Sequence, residues 1–219
     1  MDNELVMNDP KLQAILDKII ELFYEFGIRN LNMDDISRKL KISKKTLYQY
    51  FKSKEDLIEK LFYYDDIKWC AKLVKCKLDE LNAIDILLQV SVLVADEMSR
   101  LNPKLRFEMK KYYGPIFNEF TQKKHNHIFD QISKNIQKGI NEGLYRADIN
   151  IELTAGLYVR NLVDMHEKDY FLAEDFSFDQ VFETMFENHI RAISTAEGIE
   201  YFEKRKSEIT HINKNINNQ

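Results

Sequence analysis

Cysteine, proline and glycine are scarce in this chain, at two, three and six among 219 residues. So few turn-forming residues leave little material for the many reversals of an all-β fold, and the composition reads as mostly helix. Cys70 and Cys76 lie six apart on what reads as one helix. That is too far along it for a disulfide, and two cysteines are too few for a zinc site. Long apolar runs are missing too, with nothing near the roughly 18 residues of a membrane span. The opening residues MDNELVMNDPK have neither the basic lead nor the apolar run of a signal peptide. The chain is therefore expected to be cytoplasmic, with no membrane contact.

The signatures of catalysis are absent as well: no glycine-rich phosphate loop, no HExxH, no nucleophile elbow. His125 and His127 are spaced i and i+2, which points them to different sides of a helix. His166 and His189 could meet across two late helices, yet read as interface histidines rather than ligands. No metal, cofactor or enzymatic activity is expected. One further absence is local. From Arg38 to Lys54 there are seven Lys or Arg and no Asp or Glu, although the formal charge of the whole is −4.

What is present is helical periodicity. Asp9 can cap and Pro10 open a helix whose apolar residues run Leu12, Ile15, Leu16, Ile19, Ile20, Phe23 and Phe26, with Gly27 to stop it. Asn32 with Asp35 reads as a capping box before a two-turn helix over 33–40. KIS at 41–43 is a turn, and Ser43 caps a third short helix through Phe51. Ser53 with Asp56 opens a long one from Lys54. Longer helices are expected over 84–101, to about 113, from 116 to about 143, and over 151–168. Another starts at a Ser177–Gln180 capping box, with Phe176 stapled onto Val181.

In the short helix 43–51, Leu47 and Phe51 are i and i+4 and share a packed face. Lys44, Lys45, Tyr48 and Gln49 then point elsewhere, with Tyr50 at the edge and Lys52 and Lys54 beyond. Lysines neutralise phosphates and release counterions, hydroxyls bind phosphate oxygens, Lys can donate to guanine and Gln can pair with adenine. Two short helices joined by a tight turn form a helix-turn-helix, whose second helix enters the major groove of double-stranded DNA.

Residues 10–60 closely resemble the DNA-binding domain of the tetracycline-repressor (TetR) family: a capped first helix ending in Gly27, then MDDISRKLKISKKTLYQYFKSKEDLIEKLF. Thr46, Leu47, Tyr48, Tyr50, Phe51, Lys52 and Lys54 stand where that family shows Thr-Leu-Tyr, an aromatic, Phe and a Lys-x-Lys pair. The resemblance implies that Lys44, Lys45, Tyr48 and Gln49 face the groove, and that Thr46, Tyr50 and Lys54 contact phosphates. From the residues themselves, Lys52 and Lys54 read as a phosphate clamp. Asn32, Ser37 and Lys41 depart from the family's usual Thr, Ala and Gly. A left-handed Lys41 would cost about 1 kcal/mol.

Beyond about residue 65 the resemblance is architectural and implies a helical domain that binds an effector and dimerises. The last two long helices carry wide apolar stripes that could pair with a symmetry mate in a four-helix bundle. Trp69, Phe107, Tyr112, Tyr113, Phe117, Phe120 and Tyr158 make the middle of the chain aromatic-rich and are the candidate lining of an effector pocket. The expected organisation is all-α: a helix-turn-helix domain over 1–54 with a flexible N-terminal arm, a ligand-binding and dimerisation domain over 55–200, and a polar, partly disordered tail over 201–219. The expected function is a homodimeric repressor at an inverted-repeat operator, released by an apolar or aromatic small molecule. The alternative is a DNA-binding scaffold or constitutive regulator with no small-molecule effector.

Overall fold

The computed structural model describes residues 9–99, 102–164 and 176–216, and among these it is all helix. The elements are α1 (Pro10–Phe26), α2 (Met33–Lys39), α3 (Lys44–Tyr50), α4 (Lys54–Lys75), α5 (Ala83–Ser99), α6 (Pro103–Tyr112), α7 (Gly114–Asn141), α8 (Ile151–Asp164), α9 (Phe178–Ile193) and α10 (Ala196–Ile216), with a short 3-10 turn (Leu78–Glu80) after α4. The starts follow side-chain chemistry. The Asp9 carboxylate accepts from the N–H groups of Lys11 and Leu12. Asn32 and Asp35 complete their capping box, as do Ser177 and Gln180. Gly27 ends α1 at φ +81°, a conformation that a side chain would strain.

Two compact units emerge: residues 1–75 with 100–123, and 76–99 with 124–219. In the first, Leu12, Ile15, Leu16, Ile19 and Phe23 of α1 close a core with Ile28, Ile36, Leu47, Phe51, Leu57, Ile58 and Leu61. Burying a side chain of this size contributes roughly 1.5–3 kcal/mol, so a two-turn helix such as α3 is held by its packing rather than by its own hydrogen bonds. Leu105 and Met109 of α6, with Tyr113 and Ile116 around the start of α7, pack on the same core. The boundary expected at 54/55 is therefore not where the compact units divide, because α4 and α6 complete the core that α1 begins.

The second unit is built on Ile84, Leu87 and Leu88 of α5, Ile132 and Ile136 of α7, Tyr158 of α8, and Phe186, Ile190 and Ile193 of α9. Gly139 is needed here for space. A Cβ at that position would lie 2.0 Å from the ring of Tyr145, which is buried behind it. The region expected as a polar tail from 201 is instead part of α10. Phe202 is buried in the core, and Tyr201 and Arg205 reach Asp85 of α5 at 2.5 and 2.7 Å. Its polar composition hid one apolar anchor and a set of ion pairs. Phe176 is 63% exposed. Cys76 follows the end of α4 rather than sharing it. The N-terminal arm 1–8, Met165 to Lys168 with His166, and 217–219 lie outside the described residues.

Candidate nucleic-acid interface

Helix α3 is pinned from beneath. Leu47 and Phe51 are fully buried, whereas Lys44, Lys45, Tyr48 and Gln49 are exposed. Ser43 caps α3 by accepting from the Thr46 N–H at 3.0 Å, and the two hydroxyls lie 2.8 Å apart. Thr46 and Tyr50 are half-buried, so both sit at the edge of the exposed face. The turn between α2 and α3 contains Lys41 at φ +56°, left-handed although it is not glycine. Hydrogen bonds from the N–H groups of Lys41 and Ile42 to the carbonyls of Arg38 and Ser37, each 3.1 Å, hold it there. The cost of that conformation is about 1 kcal/mol, and the result is an ammonium on an exposed turn.

The C-terminal end of α3 rests on a residue that periodicity did not flag. Lys60 of α4 is almost fully buried, and its Nζ donates to the Tyr50 carbonyl at 2.8 Å and to Asp56 at 3.1 Å. A cation at a helix C-terminus opposes the negative end of the helix dipole. Asp56 also accepts from the Lys52 N–H at 2.7 Å, which ties the segment after α3 to the first turn of α4. The capping pattern at Ser53–Asp56 was a signal for this junction; the lysine one turn later was not.

The seven cations of the acid-free run have different fates. Lys41, Lys45 and Lys52 are exposed. Arg38 pairs with Asp35 at 3.3 Å, and Lys39 lies over the Phe26 ring at 3.3 Å. Lys44 donates to Asp34 of α2 at 2.6 Å. Lys54, expected among the phosphate contacts, is turned inward: its Nζ donates to the Ile28 carbonyl at 2.5 Å. Burial pushes the Lys54 ammonium down in pKa, against the raising influence of Glu55, Glu108 and Asp35. The same turn is gripped from its other side by Glu108 of α6, which accepts from the N–H groups of Ile28 at 2.7 Å and Arg29 at 3.3 Å. Arg29 in turn donates to the Tyr112 hydroxyl at 3.1 Å. Lys54 and Glu108 thus hold the connector between α1 and α2.

The expected effector-pocket residues are dispersed. Trp69, Phe107, Tyr112, Tyr113, Phe117 and Phe120 fall in the first unit and Tyr158 in the second. Phe107 is 61% exposed, and both it and Tyr112 lie on the surface beneath Lys111. These two do not line an enclosed cavity; their helix turns Leu105 and Met109 inward instead. Phe120 stacks on Phe62 with centroids 4.4 Å apart, and Phe117 meets Phe62 edge-on. In the second unit an open cleft of about 280 Å³ between α7 and α8 is lined by His125, Asn126, Phe129, Gly156, Val159, Arg160 and Val163. None of the expected aromatics contributes to it.

Residues 15–61 match the model of a known domain, bacterial regulatory proteins of the tetR family. That span covers α1 from its second turn, the helix-turn-helix and the first part of α4. Over a longer stretch the chain is similar to the HTH-type transcriptional regulator UidR of Escherichia coli, 25% identical over 185 residues, which is 82% of this chain and 93% of that one. A crystal structure of a transcriptional regulator from Cytophaga hutchinsonii has a similar fold, with a TM-score of 0.70 at 20% identity, over 85% of this chain and all of that one. Salmonella enterica GusR is a further structural neighbour, with a TM-score of 0.58 at 22% identity over 84% of this chain and 98% of that one. Among the described residues no helix is long and apolar enough to cross a membrane. The match to the family's domain falls on the helices that present the basic exposed face, and over these residues the chain carries the DNA-binding domain of the tetR family of bacterial regulatory proteins.

Proposed function

We propose that the chain is a homodimeric repressor that grips an inverted-repeat operator through α3 and leaves it when an apolar or aromatic small molecule binds the helical body. The observation that carries the reading is the division of α3 into a fully buried side, Leu47 and Phe51, and an exposed side of cations, a phenol and an amide. Lys44, Lys45, Tyr48 and Gln49 are the proposed base-edge readers. Lys41, Thr46, Tyr50 and Lys52 are the proposed phosphate contacts. Lys54 is assigned to holding the α1–α2 connector, where its partly buried ammonium donates to the Ile28 carbonyl.

Two copies are needed to span half-sites about 34–36 Å apart. Leu153 and Leu157, one turn apart on α8, are 61% and 56% exposed and supply an apolar face for a second copy. The stripe of α9 contributes less than its sequence suggests, since Phe182, Phe186, Ile190 and Ile193 are buried within the chain's own fold. The proposed dimer contact is therefore centred on α8, with α9 beside it. Two-fold association of α8 would bury the leucines against their own copies.

Release by a ligand is a population shift: a molecule that binds better to one arrangement of the two reading heads favours that arrangement. Trp69, Tyr113, Phe117, Phe120 and Tyr158 remain candidates for contacting it, and the cleft between α7 and α8, with apolar walls and Arg160, is a further one. The test is selection of binding duplexes from a random library, followed by fluorescence anisotropy across a salt series. The reading expects a recovered inverted repeat bound at least about a thousandfold more tightly than random duplex. Steep salt dependence with no preferred sequence would refute it. A thermal-shift screen of small metabolites, with each hit tested for release of the duplex, addresses the effector.

A further inference from the structure

The basic run contains no acid in sequence, but the fold supplies one. Asp34 sits at the second position of α2, and its Oδ2 accepts from Lys44 Nζ at 2.6 Å. Both side chains are open to solvent, 47% and 63% exposed, so neither is buried beneath the reading surface. Lys44 is the first residue of α3, and in a helix-turn-helix the first residues of the second helix approach the base edges. With α3 as the reading helix, a carboxylate paired to its first residue would face the duplex, and its neighbour Asp35 is already occupied by the Asn32 cap and Arg38.

We infer that Asp34 is a specificity-determining residue acting through Lys44. The inference rests on the DNA-reading role of α3 proposed above. A carboxylate is an acceptor only, so it is repelled by phosphate oxygens and by the acceptor edges N7 and O6 of guanine and O4 of thymine. It tolerates a base pair oriented so that its amino group, N4 of cytosine or N6 of adenine, faces Asp34 while an acceptor edge faces Lys44. On such a pair the Lys44–Asp34 couple is kept, with the lysine donating and the aspartate accepting. On a pair in the reverse orientation, and on the backbone alone, Lys44 must leave Asp34 before it gains a phosphate, and the bared carboxylate opposes the duplex. Asp34 therefore lowers binding to the wrong DNA more than binding to the right DNA.

The experiment compares wild type, Asp34→Asn and Asp34→Glu on two probes: a duplex selected by the wild-type chain from a random library, and a random-sequence duplex of the same length. Asparagine keeps the size and the main chain of Asp34, whose carbonyl accepts from Ser37 Oγ. For Asp34→Asn, affinity for the random duplex is expected to rise about five- to tenfold near 0.1 M salt, with a log–log salt slope steeper by about 0.9, because Lys44 now releases one more counterion. Affinity for the selected duplex should change by less than about twofold, and repeated selection should relax one position in each half-site. Asp34→Glu, which keeps a carboxylate within reach of Lys44, should retain the wild-type ratio. A simple structural defect would lower both affinities and leave the slope alone. Equal shifts on both probes, or an unchanged ratio, would overturn the inference while leaving the regulator reading intact. A wild-type chain without sequence preference would remove both.

Discussion

Replacing Lys54 with methionine separates two roles that a lysine at this position could play. In the structure its Nζ donates to the carbonyl of Ile28, a fully buried residue whose N–H is held by Glu108 at 2.7 Å. Methionine keeps the stem but removes the cationic donor, and leaves the carbonyl with one partner fewer. A hydrogen bond to a charged group is worth about 1.5–3 kcal/mol; with the side chain only half-buried, the expected loss is about 1–2 kcal/mol. For a chain of this size that corresponds to roughly 2–8 °C in Tm. Urea and thermal unfolding give the stability, and a salt series on duplex DNA gives the number of counterions released. The expected outcome is lower stability with an unchanged salt slope. A phosphate anchor would behave in the opposite way, with intact stability and a slope shallower by about 0.9. That second pattern would refute the assignment of Lys54 to the connector. Glu108→Ala serves as a companion: it strips the acceptor from the buried Ile28 N–H and should cost about 1–3 kcal/mol.

Three further outcomes follow from other parts of the fold. Burial lowers the pKa of His189, whose ring is tilted against that of Tyr158 with centroids 4.1 Å apart, to about 4. The unfolded chain therefore binds the proton first, and stability is lost as pH falls below about 6.5 and levels off near 4; between pH 7 and pH 5 the loss should be about 1–2 kcal/mol, and His189→Leu should flatten that part of the profile. Phe202→Ala should destabilise by about 3–5 kcal/mol in urea unfolding, because the side chain is buried within the second unit; a change below about 1 kcal/mol would mean that α10 is peripheral. Leu157→Glu should convert a dimer to a monomer in light scattering with little effect on far-ultraviolet dichroism, and a variant that stays dimeric would move the interface away from α8.

Local features of the sequence translated directly into structure. Asp9, Asn32, Ser43 and Ser177 cap the helices they were expected to cap, since a cap needs only a side chain and the three residues after it. The two-sidedness of α3 was equally legible, because i and i+4 define a face whatever that face meets. What was not legible depended on distant partners. Lys54 meets Ile28, 26 residues earlier, and Glu108 meets Ile28 across 80 residues. Asp34 reaches Lys44 across the turn, so an acid-free run in sequence became a surface with an acid in it. Lys60 is apolar neither in type nor in pattern, yet it is buried because the α3 carbonyl end and Asp56 satisfy it. The aromatic residues showed the limit of periodicity. Phe107 and Phe117 look alike in sequence, but one is exposed on α6 and the other is buried on α7, and only the packing of α6 and α7 decides which.

The central claim is that the exposed face of α3 reads base sequence, and Tyr48→Ala tests it most directly. The ring of Tyr48 stands out from a helix held by Leu47 and Phe51, so its removal leaves the core untouched. Binding of the variant and the wild type is measured on the selected duplex and on random duplex, alongside urea unfolding. The account predicts unchanged stability, an unchanged salt slope and a loss of about 1–3 kcal/mol in discrimination between the two probes. Discrimination that survives the substitution in full would contradict it.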